Sequence, residues 1–300
     1  MNAAFQTTPT VSVIVVAADS GPTLRECVRR VMACEVPLEL ILVDNGSGDG
    51  VPQAIERAMQ QEWRLRVIYN RANLGFGPAV NRGAAQARGN VLLILNPDCM
   101  LDDASLRRLL ELLRAHPKAG IIGAVVCDDH GVPDGASYRR DPYLGRALRS
   151  LLGKNDGVNI GGDMPAEPVR AEAVSGALMA MPRVVFENLR GFDEAYFLHC
   201  EDLDLCRRAR DAGYEVWLAG DVHVLHGKGG SSRHRPVFVS WHKHRGMWRW
   251  FRKFDPAARN PVTSSVVWLG LWAHFVAKIP GQWLRLLRRG RPALAATDGE

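Results

Sequence analysis

At 300 residues, with 47% hydrophobic, 23% charged and 7% aromatic residues, the chain has enough apolar content for one large domain or two modest ones. That composition excludes intrinsic disorder. The net charge of +6 hides an imbalance: from Gly227 onward there are 14 Lys/Arg against 3 Asp/Glu, a net of +11, whereas Met1 to His226 sums to −5. A basic tail of this kind calls for an anionic partner, either membrane lipid or nucleic acid.

The first half alternates two periodicities. "VSVIVVA" (Val11–Ala17) is a β-branched apolar run, and "TLRECVRRVMA" (Thr23–Ala33) then has helical spacing. "LELILVD" (Leu38–Asp44) predicts a second strand, running into the turn "DNGSGDG". "VPQAIERAMQQ" reads as a helix, "LRVIYN" (Leu65–Asn70) as a third strand and "GPAVNRGAAQAR" as another helix. A fourth strand is expected over Asn90–Asp98, followed by the helix "ASLRRLLELLRAH" and a fifth strand over Ala119–Asp128. Strands alternating with helices predict an α/β fold with a mostly parallel sheet flanked by helices. In such a sheet the strand C-ends share the edge where ligands bind.

Polar groups gather at those strand ends: Asp19, Asp44, Asn73, Asn96 and Asp98. Gly46, Gly48 and Gly50 are turn formers. Asp98 is harder to dismiss, because "LLILNPDC" runs from a very apolar strand into a carboxylate on the ligand-binding edge. Asp129 to Glu167 is rich in Gly, Pro and Asp with weak periodicity, and is expected to be variable or mobile. "VRAEAVSGALMAMPRVVFENLRGFDE" then reads as strand, turn, strand and a short helix after Pro182. "FLHCEDLDLCRRARDAGYEVW" opens an amphipathic helix with Glu201, Asp202 and Asp204, and acids there also suit the helix dipole. The six cysteines are scattered without a C-x-x-C pair, and no secretory signal is read at the start. They are expected to be reduced, buried thiols of a cytoplasmic protein.

Five segments in order resemble an inverting family 2 glycosyltransferase of the GT-A fold, nearest its bacterial rhamnosyltransferase-like branch. They are "VSVIVV", "LILVDNGSGDG", "NLGFGPAVNRGAAQARGNVLLILNPD", "SGALMAMPRVVFENLRGFDEAYFLHCEDLDLCRRARDAGYEVW" and "VLHGKGGSS". The resemblance implies a nucleotide-sugar donor whose diphosphate leaves with a divalent cation, Mg²⁺ or Mn²⁺, held by hard ligands. The family's Asp-x-Asp stands here as Asn96-Pro97-Asp98, with Asp98 the metal carboxylate and Asn96 on the ribose. His226 matches a further metal ligand of some members; its other reading is a satisfied loop histidine. Asp44 matches the position that accepts N3–H of uracil or thymine, selecting UDP or dTDP. Asp19 stands where the family has Asn of a Tyr-Asn pair, and the tyrosine is missing from "AADS". Asn73 and Asn81 line the donor side, by direct contact or by capping and loop shaping. Glu201-Asp202 matches the pair that supplies the catalytic base, assigned to Asp202, with Glu201 positioning the acceptor or nearby backbone. Asp204, about 200° round the helix, is expected to face solvent or the dipole.

The expected organisation is a glycosyltransferase domain over 1–232 and a basic helical region over 233–300. In that region "HRPVFVSWHKHRGMWRWFRKFDP" interleaves aromatics with cations, and an apolar run spans about 262–279. Interfacial helices on an anionic membrane are the favoured reading, with a spanning or a core-packed helix as alternatives and nucleic acid a minor rival. The expected reaction is transfer of L-rhamnose from dTDP-L-rhamnose to a saccharide acceptor, polyprenyl-diphosphate-linked or a lipopolysaccharide intermediate, at the inner face of the cell membrane. A UDP-hexose or UDP-N-acetylhexosamine transferase of the same fold is the alternative. A non-catalytic nucleotide-sugar-binding scaffold is the reading from a different class.

Overall fold

The computed structural model describes residues 10–153, 157–158, 160, 163–227 and 235–289. The chain divides into two compact units, Met1–Ser231 and Ser232–Glu300. In chain order the first contains β1 (Val11–Ala17), α1 (Pro22–Met32), β2 (Leu38–Asp44), α2 (Val51–Ala58), β3 (Leu65–Tyr69), α3 (Phe76–Ala84) and β4 (Val91–Leu95). It continues with β5 (Cys99–Met100), α4 (Asp103–Ala115), β6 (Ala119–Cys127), β7 (Tyr138–Arg139), α5 (Leu144–Leu151), β8 (Val169–Arg170) and β9 (Ala173–Val174). It ends with β10 (Leu178–Pro182), α6 (Arg183–Asn188), α7 (Glu201–Asp211) and β11 (Glu215–His226).

The main sheet runs β3-β2-β1-β4-β10-β6-β11-β5, with β8 on β11. β1, β2 and β4 are covered on both faces, which is why they read as unbroken Val/Ile/Leu runs. β3, at the edge, is only half-buried. β10 inserts antiparallel between β4 and β6, pairing Leu178 with Leu95 and Pro182 with Val91. Since β10 opposes both neighbours, β6 runs with β4, and β11 runs with β6. The C-ends of β1, β2, β3, β4, β6 and β11 therefore share one edge. Packing across this sheet is tight: a Cβ on Gly83 of α3 would lie 2.8 Å from Ile14 of β1.

Three expectations need correction. The fourth strand stops at Leu95, because Pro97 has no N–H for a ladder, and Asn96-Pro97-Asp98 is a turn. The 129–167 segment includes ordered structure. β7 pairs with β9 there, and the buried Asp141 carboxylate takes Arg210 at 2.6 Å and Arg207 at 3.4 Å from α7. Asp204 is fully buried: Arg208, four residues on, donates to it at 2.5 Å and to the carbonyls of Leu189 and Gly191. That face of α7 packs on the turn after α6, so the helical angle was right and its surroundings were not.

The second unit is a helical hairpin of α8 (Pro236–Phe254) and α9 (Pro261–Arg289), joined by a 3-10 turn over Pro256–Arg259. Asp255 caps that turn, and Asn260 Oδ1 accepts the first N–H groups of α9. Trp241 of α8 meets Trp272 and Phe275 of α9, and His244 Nε2 lies 3.0 Å from His274 Nδ1. Its buried residues are of both kinds, with Trp250, Phe251 and Phe275 buried beside polar groups. Ser240, His244, Ser264 and Gln282 are buried, while Val262, Val266, Leu269, Val276 and Trp283 are exposed, Val262 by 70% and Leu269 by 60%. Those five fall at intervals of three, four and seven, on one stripe of α9.

Gly83→Ala should lower stability by about 1–3 kcal/mol through overpacking between α3 and the sheet. Gly145→Ala, where an added Cβ meets nothing within 4 Å, should be neutral or stabilising by up to about 1 kcal/mol. Urea unfolding midpoints of the two variants check both.

Candidate active site

Three clusters form along the edge where the strand C-ends meet. In the first, the loops after β1 and β2 are clasped together. Asp19, at φ 53°, accepts from Gly48 N–H at 2.7 Å and donates its own N–H to Ser47 Oγ. Asp44 is buried, with Oδ1 accepting Ser47 N–H at 2.9 Å and Oδ2 accepting Gln53 Nε2 at 3.1 Å. Asn73 is exposed and accepts from Asn45 Nδ2 and Gly75 N–H, both at 2.9 Å.

Asn45 was not singled out from the sequence, yet it organises this cluster. Its amide donates to Asn73 Oδ1 and Gly75 O, and its Oδ1 accepts from Asn70 Nδ2 and Leu74 N–H. The only sequence signal was an Asn directly after a strand-ending Asp. Asn81 stands apart on α3. Its Oδ1 accepts Phe192 N–H, and its Nδ2 donates to Phe192 O and Glu194. Of its two expected roles, these bonds match loop shaping.

The second cluster is Asn96, Asp98 and His226. β5 leaves the Asn96–Asp98 turn and pairs antiparallel with the end of β11, setting His226 opposite Cys99. β11 reaches this point through a bulge between Ala219 and His223. His226 Nε2 then lies 3.0 Å from Asp98 Oδ1 and 3.3 Å from Asn96 Nδ2. Burial pulls the imidazole pKa down, but the hydrogen bond and charge of Asp98 outweigh it, and the net shift is upward. Asp98 requires a proton on Nε2, while the Asn96 amide as oriented requires a lone pair there; one nitrogen cannot meet both demands. With a cation on Asp98 the Nε2 lone pair would turn to the metal, Asp98 would need no proton from the ring, and the Asn96 amide would be released to another acceptor. Cys99 Sγ also lies within 4.8 Å of these groups. However, burial raises its thiol well above the usual range, and it donates to Ala177 O. The remaining carboxylate–imidazole set suits a hard divalent cation completed by substrate oxygens and water.

The third cluster opens α7. His199 and Cys200 are both left-handed, at φ 69° and 72°, and they turn the chain into the helix so that Glu201 and Asp202 fall in its first turn. Asp202 Oδ1 accepts Leu203 N–H at 2.8 Å; Oδ2 accepts Gly176 N–H at 3.1 Å and is ion-paired with Arg139. Arg139 was also missed, because it lies in the segment expected to be variable. Burial pushes the Asp202 carboxyl up, yet Arg139 and the backbone donors outweigh this and hold it below the ordinary range. Burial and the neighbouring Asp202 charge push Glu201 up to about 8. The pair therefore divides at neutral pH into an ionised Asp202 and a protonated Glu201.

Short backbone links join the clusters. Gly176 donates to Asp202, and the next carbonyl, Ala177 O, accepts Asn96 N–H at 2.8 Å. Phe197 O, ahead of α7, accepts Phe76 N–H at 2.9 Å. There Gly75, at φ 94°, leaves no room for a side chain: a Cβ would lie 2.6 Å from Phe197 O.

Comparison with known proteins agrees with this architecture. Residues 12–165 match the model of Glycosyl transferase family 2. The chain is 32% identical, over 81% of its length and 87% of the relative's, to N-acetylglucosaminyl-diphospho-decaprenol L-rhamnosyltransferase of Mycobacterium tuberculosis. It is 23% identical, over 72% of its length and 83% of the relative's, to rhamnosyltransferase WbbL of Escherichia coli. Among solved structures, GalNAc-T7 with UDP, GalNAc and Mn²⁺ superposes with a TM-score of 0.63 at 18% identity, over 82% of this chain and 48% of that longer one. Mannosyltransferase PcManGT from Pyrobaculum calidifontis, with GDP-Man and Mn²⁺, gives 0.58 at 19% identity over 95% and 77%. These likenesses identify the GT-A fold, and the matched family model together with the 32% identical relative fixes the assignment: the chain belongs to glycosyl transferase family 2.

Proposed function

We propose that the chain transfers L-rhamnose from dTDP-L-rhamnose, with inversion, to a polyprenyl-diphosphate-linked saccharide. Support for the sugar and the lipid-linked acceptor comes from the 32% identical L-rhamnosyltransferase, and the dTDP carrier is what the family resemblance implies. For the chemistry, the carrying observation is the Gly176–Ala177 link, with an ionised carboxylate on one side and the Asn96–Asp98 turn on the other. In the proposed step the acceptor oxygen forms a bond to the anomeric carbon. The carbon–phosphate oxygen bond breaks with its electron pair leaving on the nucleoside diphosphate, and the acceptor proton passes to Asp202. Glu201, protonated at neutral pH, is unsuited as base and suited to donating a hydrogen bond. Mg²⁺ or Mn²⁺ on Asp98 and His226 would neutralise charge developing on the diphosphate. Asp19, Asp44 and Asn73 shape the nucleoside end in this reading.

The second unit supplies the membrane contact of the reading. Pro261–Trp283 is long and apolar enough to cross a bilayer. However, its partner helix α8 carries Lys243, Arg245, Arg249, Arg252 and Lys253, and the buried side of the hairpin mixes aromatic residues with Ser240, His244, Ser264 and Gln282. A hairpin with apolar residues outward and many cations fits the lipid interface, lying on an anionic membrane near the lipid-linked acceptor.

Asp202→Asn should lower kcat by about 10²–10⁴-fold while donor affinity by calorimetry stays unchanged; a wild-type rate would remove Asp202 as base. In the same calorimetry, dTDP-L-rhamnose should bind more tightly than UDP-glucose, UDP-galactose or UDP-N-acetylglucosamine. Tighter binding of a UDP-sugar would favour the alternative donor.

Glu201 also gives stability a pH dependence. Its folded value, about 8, exceeds the ordinary 4.5, so the stability contributed by its proton is complete below about 4.5 and lost as pH rises through about 8. Urea midpoints of the wild type should therefore fall between pH 6 and 9, and Glu201→Gln should flatten most of that slope. Parallel slopes would contradict the assignment.

Full-length protein should float with phosphatidylglycerol vesicles, and Val266→Gln/Leu269→Gln/Val276→Gln should cut recovery by about tenfold or more. Equal recovery of the two proteins would rule out this face as the membrane contact.

A further inference from the structure

Arg139 is the cation beside the Asp202 carboxylate. It stands on β7, where it pairs with Ala173 of β9, and its Nη2 donates to Asp202 Oδ2, the oxygen that also takes Gly176 N–H. A carboxylate oxygen presents two in-plane lone pairs, so Oδ2 is filled. Oδ1 receives Leu203 N–H at 2.8 Å and retains one lone pair for an incoming proton. Among the described residues the buried Nε of Arg139 has no hydrogen-bond partner, so the guanidinium engages the acid through one terminal nitrogen and not as a fork.

The placement of Arg139 is itself anchored. Asp141, two residues on, takes Arg207 and Arg210 of α7. Residues 202, 206 and 210 recur at four-residue spacing along one helix face. The segment from 139 to 141 thus lies along α7 with a cation over its acidic first turn and an anion over its basic last turns. The helix dipole favours the acids and bases of α7 itself, and disfavours a cation at its start and an anion at its end, so the direct ion pairs hold Arg139 and Asp141 in place.

We propose that Arg139 is a positioning residue for proton transfer: it occupies Asp202 Oδ2, fixes the rotation of the carboxylate, and directs the acceptor proton to Oδ1, while Asp141 holds the segment that carries it. This rests on the reading of Asp202 as base. The ionisable groups facing Asp202 are Arg139 from β7 and Glu201, Cys200 and Cys206 from α7 and its cap. Cys206 is pushed up to about 12 by burial and stays neutral. Glu201 is protonated at neutral pH, and burial is what opposes ionisation of Asp202, so the charge of Arg139 is what keeps Asp202 ready to accept a proton.

The test combines kinetics with carboxyl ¹³C NMR titration of Asp202 in the full-length protein. In Arg139→Gln the Asp202 titration and the acidic limb of the kcat/KM–pH profile should both move up by about 1–3 pH units. At the plateau kcat should fall about tenfold or more, with donor KM changed less than twofold. Arg139→Lys should return the limb towards the wild-type position by restoring the charge, but leave kcat depressed because an ammonium fixes orientation poorly. Asp141→Asn, remote from the acid, should give a smaller shift in the same direction. An Asp202 titration in Arg139→Gln that coincides with wild type overturns the proposal, as does a shifted titration with an unmoved kinetic limb while Asp202→Asn is inactive. If Asp202→Asn itself retains the wild-type rate, the reading of the base fails instead, and the proton-directing role of Arg139 fails with it. The NMR shift then still reports whether Arg139 holds the charge on Asp202.

Discussion

The peptide group between Gly176 and Ala177, with its flanking N–H and carbonyl, is the constraint on which the site depends. Its donor side meets the acid at the start of α7, and its acceptor side receives the backbone of the Asn96–Asp98 turn and the Cys99 thiol. The approach is close: a Cβ at Gly176 would lie 3.2 Å from Asp202 Cβ and would push the acid back by a few tenths of an ångström. The antiparallel insertion of β10 between β4 and β6 brings the peptide there, because a strand running against its neighbours begins where theirs end. Asp202 and the two residues that bracket Pro97-Asp98, Asn96 and Cys99, are thereby tied to the two sides of one short backbone segment.

The turn itself reaches further. β5 follows Asn96-Pro97-Asp98 at once and pairs with β11 beyond β10 and β6, so the chain crosses the strand ends to meet His226. The bulge in β11 belongs to the same arrangement, since it adjusts the strand that delivers His226 opposite Cys99. A carboxylate and an imidazole from opposite ends of the chain then converge without a dedicated cage. That suits a cation which keeps open positions for substrate oxygens.

What could be read from the sequence follows what is local. The β-branched runs of β1, β2 and β4 carry their burial in their own composition, so the parallel half of the sheet and the polar strand ends were legible. β10 looked like any short apolar strand, and nothing local encodes its direction. Asp204 illustrates the limit from the other side: helical geometry gave its angle, but only the turn at Leu189–Gly191 and the returning Arg208 make that direction interior. Asn45 and Arg139 were invisible for a related reason. Each acts through a partner 25 to 63 residues away, one in a run that looked like a turn and the other in a run that looked like a loop.

The division of Glu201 from Asp202 shows how burial turns two similar acids into unlike ones. Both occupy the first turn of α7, where the helix dipole favours negative charge, and both lose water. Burying two adjacent anions would be costly, and the structure supplies compensating donors asymmetrically. Arg139, Gly176 N–H and Leu203 N–H all converge on Asp202, whereas Glu201 has backbone N–H donors but no cation of its own, and its Oε2 is buried without a partner among the described residues. The proton therefore resides on Glu201, and its presence there lowers the cost of charge next door. Removing the cation from Asp202 would affect both residues, because one shared proton would then have two comparable places to reside. The left-handed His199 and Cys200 are the backbone condition for this asymmetry, since they turn the chain so that the helix begins with these two acids in its first turn.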